Sequence, residues 1–351
     1  MNRLLVTNGA FTTLLLSAVL AEQKKDPTNS NNYLLYYLKT LNPERISFQL
    51  NFANFFFNYK KHFNLLEYQR KFSFNLTLLK NELSDIQEIY LPINSTTKKW
   101  YKLLYKIYPK ASFIFYEEGL MSYIKGLYDH SLQKLLKKHS TYYLFYNATI
   151  KHLFPKEFKP INKQSLLNNI QQYQAHHPVL KNNYPTSYKY ALVLPQYYFQ
   201  KHKKKHKQLE DLYIYNIKLL IKNGYHILFK DHPKSTQSYY PVLQKICGKE
   251  NFTLLKEIDN LPVEIIGNLI KISLVFSVYS TSLFTLPYLF NIPALTSYTM
   301  LSQRINTFSL YPALIAEFTQ QYIPDLESKS LKYNKLLYLY RKMLTFIYKI
   351  F

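Results

Sequence analysis

Ser112-Phe113-Ile114-Phe115-Tyr116-Glu117-Glu118-Gly119 is the stretch that decides how this 351-residue chain folds. Its first five residues read as a short buried strand, and Gly119 lets the backbone turn sharply where the strand ends. Two adjacent carboxylates then stand at the carboxyl end of a strand, the edge at which open α/β sheets hold ligands. Glycine occurs only six times in the chain, so its use at this turn is informative.

Working outward, short apolar runs at 4–7, 33–37, 88–91, 112–116 and 142–146 alternate with helical patterns, notably 12–22 and 97–107. That alternation predicts a mostly parallel sheet covered by helices. Residues 14–21 are apolar enough to suggest a leader, but only Arg3 precedes them and Asn8-Gly9 divides the stretch. The reading is therefore strand, turn and helix, and no run reaches the roughly 18 apolar residues of a membrane span. Between 154 and 188 the texture becomes polar and proline-punctuated. This predicts a linker over 161–187, with a short helix near 165–175.

A second alternating series follows. Strands are expected at 190–194, 225–229, 253–255 and 271–277, and helices at 208–222, 238–247 and 283–289. The predicted fold class is thus α/β, with two doubly wound Rossmann-type domains, 1–160 and 188–325, facing a cleft. Residues 326–351 place Leu336, Leu337, Tyr340, Leu344, Ile347 and Tyr348 at spacings of three and four, a basic amphipathic helix suited to packing or to a membrane surface.

Composition narrows the partners. Hydrophobic residues make up 47% of the chain, which argues for a packed protein. A formal charge of +24 points to nucleic acid, an anionic membrane or an anionic substrate. Cys247 is the single cysteine, so no internal disulfide forms, and it reads as a small buried apolar residue.

Three further short motifs carry chemistry. His232-Pro233 follows a predicted strand, with Lys230 and Lys234 on either side. Proline holds its predecessor extended, and a histidine between lysines suits an anionic oxygen, although such a dipeptide is also ordinary in loops. Pro262-Val263-Glu264 opens a helical stretch, where Glu264 serves either the helix start or a sugar hydroxyl. Ser280-Thr281-Ser282 lies between a strand and a helix, as a simple N-cap or as a phosphate cradle.

Taken in order, these motifs resemble those of bacterial GT-B sialyltransferases, above all the capsular polysialyltransferase family and related lipooligosaccharide sialyltransferases. The acidic motif appears as Glu117-Glu118-Gly119, the HP motif as His232-Pro233 and the Ser-Ser/Thr motif as Ser280-Thr281, with Pro262-Val263-Glu264 between the last two. The opening strand–turn–helix of 4–22, with Gly9 in its turn, resembles the family's start.

The resemblance implies a CMP-sialic acid donor, an anionic glycan acceptor, inversion in a single displacement, and no metal or other cofactor. It implies Glu117 as general base with Glu118 in support, and His232 at the departing phosphate. Ser280, Thr281 and Ser282 would bind that phosphate with Lys230, Pro233, Lys234 and Gly9 on the donor side, and Glu264 the ribose. A cytoplasmic enzyme held peripherally on the inner face of the bacterial inner membrane is the implied setting. One feature of the residues agrees independently. The seven aspartates contain no Asp-x-Asp pair of the kind that holds a divalent metal, which leaves the leaving phosphate to cations and helix starts.

The run Lys201-His202-Lys203-Lys204-Lys205-His206-Lys207 suits a polyanionic acceptor or, in a different class of protein, nucleic acid. It reads equally as a solvated loop before a helix, and no nucleic-acid motif accompanies it.

Overall fold

Burial on both faces is what the near-continuous apolar strands of this sequence require, and the fold supplies it with parallel sheets sandwiched by helices. The computed structural model describes residues 1–23, 31–36, 43–64, 79–83, 85–94, 96–119, 122, 130–144, 158–178, 184–195, 203–232, 235, 238–278 and 280–297. The chain divides into two compact units. The first is Met1–Pro178 with Asn260–Pro262, the second Val179–Asp259 with Val263–Phe351.

The first unit contains strands β1 (Asn2–Thr7), β2 (Asn31–Tyr36), β3 (Lys61–Asn64), β4 (Glu88–Ile93), β5 (Ser112–Glu117), β6 (Ser140–Tyr143) and β7 (Lys159–Pro160). They form one sheet in the order β3-β2-β1-β4-β5-β6-β7, and every pairing is parallel. Helices α1 (Ala10–Glu22), α2 (Pro43–Phe57), α3 (Thr97–Ile107), α4 (His130–Lys137) and α5 (Lys163–His176) connect and cover them.

Helix α1 explains the leader-like stretch. Leu14, Leu15, Leu16, Ala18 and Val19 are all buried, because α1 packs against α2, α5 and β5. A helix enclosed on several sides is apolar around its circumference. Helix α3, by contrast, buries Trp100 and Leu104 on one stripe and exposes lysines on the other.

Three expectations meet the structure here. First, the short helix expected near 165–175 is present as α5, but it belongs to the first unit instead of a linker between units. Its Leu166, Ile170 and Tyr173 are buried at helical spacing. Asn162 caps it, its side chain accepting from the amides of Gln164 (2.8 Å) and Ser165 (3.2 Å). The polar residues that suggested a linker are thus a cap and an outward face. Second, α2 and β3 fill a region for which no element was expected. Third, the expected helix of 326–351 lies outside the described residues.

The second unit holds β8 (Lys189–Val193), β9 (Tyr225–Phe229), β10 (Phe252–Leu254), β11 (Ile272–Phe276) and β12 (Ala294–Leu295), in the order β10-β9-β8-β11-β12 and again all parallel. Its helices are α6 (Lys203–Lys222), α7 (Tyr240–Cys247) and α8 (Ser282–Phe290), with a 3-10 turn at Val263–Ile266. Helix α6 starts five residues earlier than expected and takes in most of the lysine run. Gly224, at φ 76°, supplies the left-handed turn between α6 and β9.

In each sheet the order reverses direction beside its first strand, at β1/β4 and at β8/β11. Such switch points open a crevice at the carboxyl edge. No helix among the described residues is long and apolar enough to cross a membrane.

At the first of these points a buried ion pair ties β1 to β4. Arg3 and Glu88 are register partners, Arg3 Nε donates to Glu88 Oε2 at 3.2 Å, and the Tyr90 hydroxyl donates to the same oxygen at 3.0 Å. Removing one member leaves a buried charge without its counter-charge. Arg3→Met should therefore lower unfolding free energy by about 3–5 kcal/mol, and Arg3→Met with Glu88→Leu should restore most of it. Urea unfolding of the three proteins checks this; a double variant as unstable as the single one would refute it.

Candidate active site

In the first unit the site is built where β1, β4 and β5 end. Side chains alternate along a strand, so Glu117 shares a face with Phe113 and Phe115, whose rings stack 6.4 Å apart. Tyr116 on the opposite face is buried as well, so β5 is covered on both sides, and Glu117 at its end is 0% exposed. Its Oε2 accepts the Leu144 amide at 2.6 Å, which ties the end of β5 to the end of β6. Its Oε1 has no hydrogen-bond partner. Burial pushes this carboxyl well above the usual range, and the Leu144 amide only partly opposes it.

Glu118, one residue on, emerges half-buried. Asn8 Nδ2 donates to its Oε1 at 2.5 Å. Asn8 is itself held by α1, since the Thr12 hydroxyl donates to Asn8 Oδ1 at 2.9 Å. The Gly9 carbonyl accepts from the Thr13 amide (3.0 Å) and from the hydroxyls of Thr12 (2.8 Å) and Thr13 (3.0 Å). From the other side, the Glu118 amide donates to Ser122 Oγ (2.8 Å), and Ser122 donates to the Ile93 carbonyl (2.9 Å). Gly119 follows at φ 139°, a conformation that favours glycine. Three strand ends thus fix one partly exposed carboxylate.

Gly9 stands in this same loop of the first unit, and a side chain at that position would meet nothing within 4 Å. The open space suits close approach of a ligand. Asn8 and Ser122 were not singled out from sequence. Strand parity offered no signal for Glu117, since Ile114 and Tyr116 on the opposite face of β5 are as buried as Phe113 and Phe115.

In the second unit, Glu264 lies on the 3-10 turn and is 2% exposed. The hydroxyls of Thr285 and Ser282 (3.2 Å) both donate to its Oε1. Burial raises its pKa, against the pull of these bonds and of Lys230. Glu264 therefore holds the first turn of α8 from within. In this arrangement it is enclosed by protein and is not presented to a ribose.

Lys230 is also turned inward. It is 4% exposed, and its Nζ donates to the Asp259 carbonyl at 3.3 Å. The expectation that it offers its ammonium to a phosphate gives way to a role inside the unit. His232 is half-buried in a turn closed by the Ser235 amide on its carbonyl at 2.8 Å. Pro233 and Lys234 lie outside the described residues. Asp231, beside them, is pushed up by burial while the Ser238 hydroxyl donates to it.

At the start of α8 the cap position is Thr281, whose backbone is already helical and whose side chain makes no capping bond. Ser280 instead accepts the Ser282 amide through Oγ (3.3 Å) and the Leu283 amide through its carbonyl (3.2 Å). The next amides are partnered too, Phe284 (2.9 Å) and Thr285 (3.1 Å) donating to the Thr281 carbonyl, so an anion at this helix start would have to displace the two longer bonds to Ser280.

The lysine run divides. Lys207 is exposed and is paired with Glu210 (2.6 Å) and Asp211 (3.3 Å) on the same helix. Lys203, Lys204 and Lys205 begin α6, and Lys201 lies outside the described residues. Among the described residues no group of three His, Cys, Asp or Glu forms a metal-binding set.

Comparison with known proteins agrees with this architecture. The profile of the family described as Alpha-2,8-polysialyltransferase (POLYST) matches residues 3–299. No curated protein sequence matches. Among solved structures, the Methanocaldococcus jannaschii UDP-GlcNAc 2-epimerase in complex with UDP-GlcNAc and UDP has a TM-score of 0.55 at 12% identity, covering 84% of this chain and 83% of that one. The S. aureus MnaA–UDP co-structure has a TM-score of 0.54 at 14% identity, covering 92% and 88%. At such identities the likeness is one of fold, two Rossmann-like domains of the GT-B type.

Glu117 supplies a pH test. Its pKa is raised in the folded state, so its contribution to stability is complete below the ordinary value of 4.5 and is lost as pH rises through the raised value. Glu117→Gln should remove that loss. The variant should equal or exceed the parent in urea midpoint at mildly alkaline pH, and its advantage should shrink on acidification. An advantage that is constant across pH would mean that the carboxyl is not held protonated.

Proposed function

Because the chain belongs to the alpha-2,8-polysialyltransferase family, we propose that it moves sialic acid from CMP-sialic acid to a hydroxyl of an anionic, already sialylated glycan, with inversion and without a metal. The observation that carries this reading is Glu118, the one glutamate of the acidic motif that is partly exposed, its carboxylate held by Asn8 and its backbone amide by Ser122.

In the proposed step the acceptor oxygen attacks the anomeric carbon. The bond from that carbon to the phosphate oxygen of CMP breaks, and its electron pair leaves with CMP. The acceptor proton passes to Glu118. Asn8 keeps Glu118 in reach, and a general base needs that geometry before it needs a matched pKa. Glu117 has a positioning role, anchoring the turn through Leu144. This exchanges the two roles that resemblance alone gave.

On the donor side His232 and the α8 start serve the leaving phosphate, which gathers charge as the bond breaks. Glu264 acts through Ser282 and Thr285, keeping that helix start in place. The absence of any Asp-x-Asp pair supports a phosphate neutralised by protein groups.

CMP release measured with CMP-sialic acid and a sialylated oligosaccharide tests the assignment. Glu118→Gln should lower turnover by roughly two to four orders of magnitude, with donor affinity little changed. Glu117→Gln should cost far less. The reverse ranking would return the base to Glu117.

Ser280→Ala with Thr281→Ala should weaken CMP about tenfold in titration calorimetry, the scale of one or two lost hydrogen bonds to a charged group. Unchanged affinity would remove the cradle. A chelator should leave the rate as it is, and a rate restored only by added metal would end the metal-independent reading.

A further inference from the structure

The edge of the second sheet where its strands begin, opposite Lys230, His232 and Ser280, carries its own pattern. Lys189 starts β8, Lys271 precedes β11, and Lys249 precedes β10. Lys222 and Lys245 stand in the last turns of α6 and α7, which end at the same edge. All five are exposed. None has a carboxylate within ion-pair distance among the described residues, and Lys189 sits instead over the Tyr225 ring at 4.1 Å. Among the described residues Glu250 is the one acid in the turns and helix ends that make up this edge, whereas Glu210, Asp211, Asp231, Asp259 and Glu264 lie toward the other end.

Large apolar side chains are exposed among these lysines. Tyr188 is 48% exposed, Leu269 44% and Ile246 42%. Tyr188 is held rigidly, its ring stacked on His226 at 4.7 Å, and His226 in turn bonds Thr253 at 2.9 Å. An ordered tyrosine and two aliphatic tips within a ring of unpaired lysines match a lipid headgroup region. Aromatic rings with a polar end favour such an interface, and lysines gain from anionic lipid.

We infer that this amino-terminal edge of the second sheet is a docking surface for an anionic lipid bilayer. The occupant is a membrane because a soluble polyanion would gain from the lysines and nothing from Tyr188, Ile246 and Leu269. Strands of five residues at about 3.3 Å each set the opposite edge of this sheet about 16 Å further from the lipid. Docked so, the unit turns its donor-side motifs away from the membrane, toward a glycan chain end that has grown out from it.

The test is co-sedimentation of the full chain with vesicles of equal parts phosphatidylcholine and phosphatidylglycerol, and of phosphatidylcholine alone. The parent should bind only the first. Lys189→Gln, Lys245→Gln, Lys249→Gln and Lys271→Gln together should reduce partitioning by up to about three orders of magnitude. A second variant, Ile246→Ser with Leu269→Ser, should reduce it at unchanged charge. Both should keep the parent's melting temperature and its CMP release with a soluble acceptor. The inference falls if the quadruple variant, folded, partitions like the parent. It falls equally if only a soluble polyanionic glycan loses affinity, or if Lys203→Gln, Lys204→Gln and Lys205→Gln abolish vesicle binding in place of the quadruple set.

Discussion

Parallel pairing is the constraint on which everything else in this chain rests. A strand that must run in the same direction as its neighbour can be reached only by crossing back over the sheet, so every strand ends at one edge and begins at the other. Each unit obeys this throughout. Asn8, Ile93 and Glu118, distant in sequence, meet because β1, β4 and β5 end side by side. Lys230, Glu264 and Ser282 are grouped by the same logic in the other unit. The motifs are short because the topology, and not local sequence, assembles them.

Both units use a buried carboxyl to brace a half-open turn. Glu117 accepts the Leu144 amide beneath the Glu118 turn, and Glu264 accepts two hydroxyls beneath the start of α8. In each, the acid that looks reactive in a motif is enclosed, and a partly exposed residue, Glu118 or Ser282, lies on the turn it steadies. Burying such groups is costly unless they are bonded or protonated. Their retention fits sites where position matters more than stability.

The strands that carry the motifs were legible because their apolar runs are short and bounded by turn residues. The order of the motifs was legible for the same reason. Which of two adjacent glutamates is enclosed was not legible, because both faces of β5 are apolar and buried and the choice is made by where the strand ends against β6. Helix α2 was missed because Phe48, Phe55 and Phe56 lie beside the buried Phe52, Ala53 and Phe57 and blur the helical stripe. Strand β3 is four residues with little apolar character. The helix within the supposed linker was legible, but its place in the first unit was not, because asparagine and proline serve helix caps as readily as they serve loops. The inward turn of Lys230 depends on the Asp259 carbonyl, a tertiary contact that no local pattern announces.

Helix α1 has a consequence for how the chain is made. It is finished within the first two dozen residues, yet one of its covers, α5, is not made until Lys163–His176. At the usual pace of synthesis, on the order of ten seconds pass between the two. During that time an almost wholly apolar segment stands at the ribosome with part of its covering still unmade. Such a segment is open to capture by chaperones. The same side chains that centre the finished first unit are therefore what leaves the nascent chain exposed, and completion of α5 is the event that withdraws them.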